Sequence, residues 1–175
     1  MSFLDDLKKE AQQVKQAEDA TRNVQELQRQ VIVGAIRPRL RKVYDYLKDT
    51  CDQLTVVNPD IYMSYELRGF GKVGPLRQGE YRVNAENPDT MDKFTVFFSC
   101  SRPEQVRFKM SGKETVVAQK EFMWSWNLRF NTKVDAHGNA TFIMEAYVPI
   151  TIEFEADYDN VRILVVIRNL DTLGT

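Results

Sequence analysis

The chain has 175 residues, 43% of them hydrophobic and 28% charged, the composition of a globular protein with a substantial core, which excludes general disorder. A net charge of -1 supplies no concentrated positive field, so nucleic acid and anionic bilayers are excluded as default partners. No segment approaches the roughly 20 apolar residues that cross a bilayer, and Asp5 and Asp6 ahead of any basic residue do not begin a signal peptide, so the expectation is a cytoplasmic protein without a membrane span.

The first 54 residues form one compositional block. They hold only Gly34 and Pro38 of the 8 glycines and 6 prolines. Leu4, Leu7, Ala11, Val14, Ala17, Thr21, Val24, Leu27 and Val31 recur in steps of three and four, which predicts a helix with a narrow apolar stripe. Ser2 followed by Asp5 reads as an N-cap with an acidic first turn. Such a stripe resembles a coiled-coil seam more than a core face, and it wants a partner. Pro38 lacks an N–H and its ring meets the carbonyl of Gly34, so the helix is expected to kink, or to stop and restart, near this point. Ile36, Leu40, Val43, Leu47, Cys51 and Leu54 then carry a second helical segment. Split at Pro38, the two segments form either an extended arm or a helical hairpin lying on the rest of the protein.

Residues 55–175 read as a separate antiparallel β-rich domain. The period changes to two at Phe94–Cys100 and at Val106–Met110, the mark of half-buried strands. Trp124, Trp126, Leu128 and Phe130 alternate with polar residues and predict another strand with an aromatic face. Residues 135–139 supply a hairpin turn, with Gly138 available for a positive φ, before Phe142, Met144, Ala146 and Val148 resume the alternation. Pro149 suggests a strand start or an edge. Ile150–Ala156 forms a further strand, and the apolar run Val161–Ile167 reads as a strand covered on both faces. With Ile61–Arg68 and Leu76–Val83 this makes about eight strands. The fold class is α+β: a helical arm followed by an antiparallel sheet or open barrel.

Catalytic chemistry finds little purchase. Gly69, Gly71 and Gly74 match a dinucleotide-binding spacing, but Pro75 and a strand follow where a helix is required, so the segment reads as a hairpin loop. His137 is the only histidine and lies in the expected turn, which removes a His-ligated metal cluster and leaves serine or cysteine nucleophiles without a base. Cys51 and Cys100 stand apart without CxxC spacing and read as reduced thiols. Glu145, Glu153, Glu155 and Asp157 could furnish a carboxylate pair or bind a hard cation, and Glu153 and Glu155 share one face of a strand, but their outward alternation makes these carboxylates a solvated surface rather than an acid–base pair. No catalytic residue, metal ligand or cofactor is assigned, and an enzyme is not expected.

Two candidate sites remain. Arg37, Arg39, Arg41 and Lys42 form the densest positive cluster, and a helix starting there would add free N–H groups to bind an anion. Against this, Asp45 and Asp49 lie one turn away and suit a solvated helix face. Trp124, Trp126 and Phe130 are either core or the lining of an apolar ligand site. The expected function is a noncatalytic interaction or assembly module whose arm mediates homo-oligomerisation or docks on a protein partner. The alternative is a small-molecule or lipid carrier using the aromatic face of the sheet.

Overall fold

The computed structural model describes residues 3–87 and 90–173. Helix α1 (Phe3–Val57) is followed by strands β1 (Tyr62–Leu67), β2 (Gly71–Ala85) and β3 (Lys93–Met110), helix α2 (Lys113–Ser125), and strands β4 (Phe130–Val134), β5 (Ala140–Asp157) and β6 (Arg162–Arg168). All strand pairs are antiparallel, in the order β1-β2-β3-β5-β4, with β6 also paired to β5. The α+β class and the N-terminal helix are therefore as the sequence suggests. The proposed cap, Ser2, lies outside the described residues.

Four expectations are corrected, the last of them at β6. First, α1 is one helix of 55 residues that runs through Pro38 without a break, so it neither stops and restarts there nor folds as a hairpin. At 1.5 Å per residue it is a rod about 80 Å long. Proline costs one backbone hydrogen bond and some crowding, and the glycine four residues earlier brings no Cβ to that crowding. Second, the strands among the described residues number six rather than eight. β3 and β5 have 18 residues each, and each absorbs two segments that the sequence separates. In β3 the pairing with β5 shifts between Ser101 and Gln105, a bulge that keeps the strand going past Pro103. In β5, Pro149 falls between the stretch paired with β4 and the stretch paired with β6, and its carbonyl accepts from Asn169 Nδ2 at 2.9 Å. N–H and C=O of one strand residue point to the same side, so the missing N–H faces this gap, where it interrupts no ladder.

Third, Trp124 does not sit on a strand. It lies in the last turn of α2, Trp126 follows the helix, and Phe130 opens β4. The buried residues of α2 are Val116, Gln119 and Met123, spaced three and four apart, so the helical period holds a glutamine where an apolar residue would have revealed it. The hairpin that follows is as expected: Val134 pairs with Ala140 across the turn, and Gly138 has φ +80°.

The sheet is apolar on one face. Phe94, Val96, Phe98 and Cys100 of β3, and Ala140 through Ile150 of β5 taken alternately, are buried and point the same way. α2 and Leu128 cover one end of this face, packing Val116 and Met123 against residues such as Phe108, Phe142 and Met144. The C-terminal half of α1 covers the other end, placing Leu40, Tyr44 and Cys51 on Met91, Phe94 and Val96. The ring of Tyr44 meets Phe94 edge-on at 5.4 Å, and Phe94 stacks on Phe154 at 4.7 Å. β6 is not covered on both faces as its apolar run suggests. It is paired to β5 alone, and Leu164, Val165 and Ile167 are exposed.

Candidate functional site

The helix has two environments. From Ile36 to Leu54 one side is packed on the sheet, whereas residues 8–31 are all exposed and touch no other part of the chain that would bury them. In this projecting half Val24 is 54% exposed, Leu27 62% and Val31 73%, and with Gln28 and Ile32 they line an open apolar groove.

Helical geometry shows where that groove faces. From Ala11 to Val31 the stripe takes six steps for 20 residues, about 3.3 per step against 3.6 per turn, so it winds backward round the helix instead of holding one face. Taking Leu40 as the direction of the sheet, Ile36, Tyr44, Leu47, Cys51 and Leu54 fall within about 40° of it at 100° per residue. Ala20, Val24, Leu27, Val31 and Ala35 fall about 140–220° away. The exposed apolar face thus lies on the back of the rod. Continuing the sheet-facing direction into the projecting half brings up Glu18, Arg22, Glu26 and Arg29 instead.

The rod is pinned where it leaves the sheet. Arg37 donates from Nε to Asp92 Oδ1 at 2.9 Å and from a terminal nitrogen to Oδ2 at 3.2 Å, the two-pronged geometry that suits a guanidinium. The Tyr158 hydroxyl donates to the same carboxylate by a short hydrogen bond, and Arg37 Nε also reaches that hydroxyl oxygen at 3.2 Å. The Asp92 carboxyl is held below its ordinary range, chiefly by the hydrogen bond from Arg37 and more weakly by that from Tyr158, against the opposing effect of partial burial. A carboxylate whose pKa is depressed on folding stabilises the fold above its unfolded pKa, near 4, and that contribution is lost as the pH falls through the folded value. Asp92→Asn is therefore expected to cost up to about 1 kcal/mol at pH 7, because the pair is half exposed. Urea titrations of both proteins should converge at a pH below the folded value. A difference independent of pH between 7 and 2 would show that the carboxylate charge is not what pins the helix.

The basic cluster is thus divided by the structure. Arg37 is bound to Asp92 and Arg41 to Asp45 at 2.9 Å, while Arg39 and Lys42 are exposed on the same helix. Because α1 runs through this region, no helix N-terminus forms beside the cluster to add free N–H groups. Trp124 is 63% exposed, and its ring contacts Phe130 at 5.8 Å. With Leu128, Arg129, Ile143 and Glu145 these two line a surface groove of about 360 Å³. Trp126 is half-buried, and its carbonyl accepts from Asn169 Nδ2.

The remaining candidates sit as follows. Glu153 pairs with Lys93 and Arg168, Glu155 with Lys93, Glu145 with Arg129, and Asp157 with Arg162. His137 is exposed in the turn, its backbone N–H donating to Asp135. Cys51 and Cys100 are unpaired and buried, and burial pushes both thiols up. Gly74 lies against Ser64, whose Cα would stand 2.9 Å from an added Cβ, so the third glycine of the loop serves close strand packing within β1 and β2. A depression of about 940 Å³ is lined mainly by β2 and β3. In it the Glu80 carboxylate accepts from Ser99 and Tyr147, and Arg77 is engaged by Asp60 and the carbonyl of Asn58. The Arg37–Asp92–Tyr158 lock escaped sequence reasoning because its members are 55 and 121 residues from one another in the chain. Comparison of the chain with protein-family models, with curated proteins and with solved structures finds no match.

Proposed function

We propose that this chain is a noncatalytic assembly protein, in which the projecting half of α1 joins it to another protein chain and the β-rich part carries what is assembled. The observation that carries the reading is the stretch 8–31, more than six turns of helix with every residue exposed. A free helix in water is only marginally stable, since its nucleation is costly and most helical stability in proteins comes from packing one face. Val24, Leu27 and Val31 supply a face to pack. The rest of the sheet's apolar face is occupied by α2 and by α1 itself, so the arm does not find its cover within the described chain.

Light scattering combined with amide hydrogen exchange tests this. The full chain is expected to have a mass above that of one chain, with protection across residues 8–31 that rises with protein concentration. A single-chain mass at every concentration, with the arm exchanging as a free peptide, would sink the reading.

The carrier reading rests on a different observation, the exposed Trp124 beside Phe130. The groove there, about 360 Å³, has Gln105, Arg129, Asn131 and Glu145 in its lining beside the aromatic pair, a more polar wall than an apolar ligand calls for. The arm is the better supported surface.

A further inference from the structure

We infer that α1 pairs with the α1 of a second copy of this chain, antiparallel, across a two-fold axis between Leu27 and Gln28. The inference rests on the reading of the arm as an assembly device and goes on to name its occupant and its geometry.

The order of residues along the back of the rod carries it. Read outward from that midpoint, the face runs Leu27, Val24, Ala20 in one direction and Gln28, Val31, Ala35 in the other. Turned end to end on itself, it sets Val24 against the partner's Val31 and Ala20 against the partner's Ala35. A two-fold contact requires such a self-complementary patch, in which each residue meets its counterpart's mate. The small residues Ala20, Gly34 and Ala35 at both ends let the two backbones approach.

Charge separates the second copy from other occupants. Between Ala20 and Ala35 the back of the helix carries no ionisable side chain, because Arg22, Glu26 and Arg29 all fall within about 40° of the sheet direction. An anionic bilayer would call for a basic rim beside the apolar face, and a charged peptide for a complementary one. A neutral face fits another neutral face. The sheet lies on the far side of the rod, so a helix docked on the back meets no strand of the same chain. Antiparallel pairing is preferred to parallel because Asp45 and Asp49 lie further along the same back surface. Parallel copies would set Asp45, Asp49 and the Lys42 beside them each against its own image, which antiparallel copies avoid.

Cysteine pairing tests the geometry. The native Cys51 and Cys100 are buried, so a thiol introduced on the arm dominates exposed disulfide chemistry. In the inferred pair, position 20 of one chain faces position 35 of the other, while the two copies of position 20 stand about 22 Å apart. Full-length Ala20→Cys and Ala35→Cys chains, mixed under a mild oxidant, are expected to form a cross-linked dimer at least tenfold faster than either variant alone. Circular dichroism checks that each variant is folded. Faster cross-linking of Ala20→Cys with itself would establish a parallel pair and overturn the inference. A two-chain mass without cross-linking of the mixture would also overturn it, while leaving the assembly reading standing. A single-chain mass for the unmodified protein would overturn both.

Discussion

Leu40→Ala is expected to lower the stability of the fold by about 3 kcal/mol, because it removes a fully buried side chain from the contact between helix and sheet. Leu40 lies among Tyr44, Met91, Phe94 and Val96. That cluster is built from aromatic rings already in contact, which cannot close over a missing isobutyl group without giving up their own geometry. Leu27→Ala makes the same chemical change on the same helix, but at an exposed position, and its effect on a single chain should stay within about 0.5 kcal/mol. Urea unfolding at low protein concentration, followed by circular dichroism, measures the two side by side. Equal losses at both positions would mean that the helix is not held to the sheet through Leu40.

The second large effect falls on association and leaves the fold intact. Leu27→Glu combined with Val31→Glu keeps two adequate helix formers in place of the apolar pair. It also puts two carboxylates on each chain in the middle of the neutral face, where pairing would bury them without partners. Self-association should weaken at least a hundredfold, about 2.7 kcal/mol in binding free energy. The unfolding midpoint of the dilute single chain should be unchanged. Sedimentation equilibrium across a concentration series reads the first, and urea titration the second. Association undiminished by the double substitution would move the contact away from this face.

The helix was legible in the sequence because Gln, Lys, Glu and Ala fill it almost without interruption, and the one-sided sheet because Phe94–Cys100 and Phe142–Val148 alternate cleanly. Prolines gave mixed signals. Pro38 suggested a kink or a stop and lies inside a continuous helix, whereas Pro149 suggested a strand start or an edge and lies inside a strand, at a point where no outer neighbour pairs with it. Local propensity speaks of the residue, whereas the cost of proline depends on whether its missing N–H would have had a partner. α2 was hidden for the opposite reason. Gln119 occupies a buried helical position that pattern reading reserves for apolar residues, and Trp124, Trp126, Leu128 and Phe130 imitate a strand while spanning the end of a helix, a turn and the start of β4. The back-facing patch of the arm was legible only in part. The sequence shows Val24, Leu27 and Val31, but their direction relative to the sheet depends on which later residues pack, and Leu40 settled that reference.

The lock between Arg37 and Tyr158 spans 121 residues, and the hydroxyl of Tyr65 donates to the carbonyls of Asn169 and Leu170, 104 and 105 residues on. On a ribosome the helix emerges before the sheet it packs on, and until that sheet is made it has no such surface to lie on. Phe94 must be made before Tyr44 has a ring to meet, and Tyr158 before the Asp92 carboxylate has its second donor. Long-range closures of this kind slow folding, since chain entropy is lost before any contact repays it. The rod is therefore made before the surface that seats it, and a nascent chain carries its arm exposed before its sheet is finished.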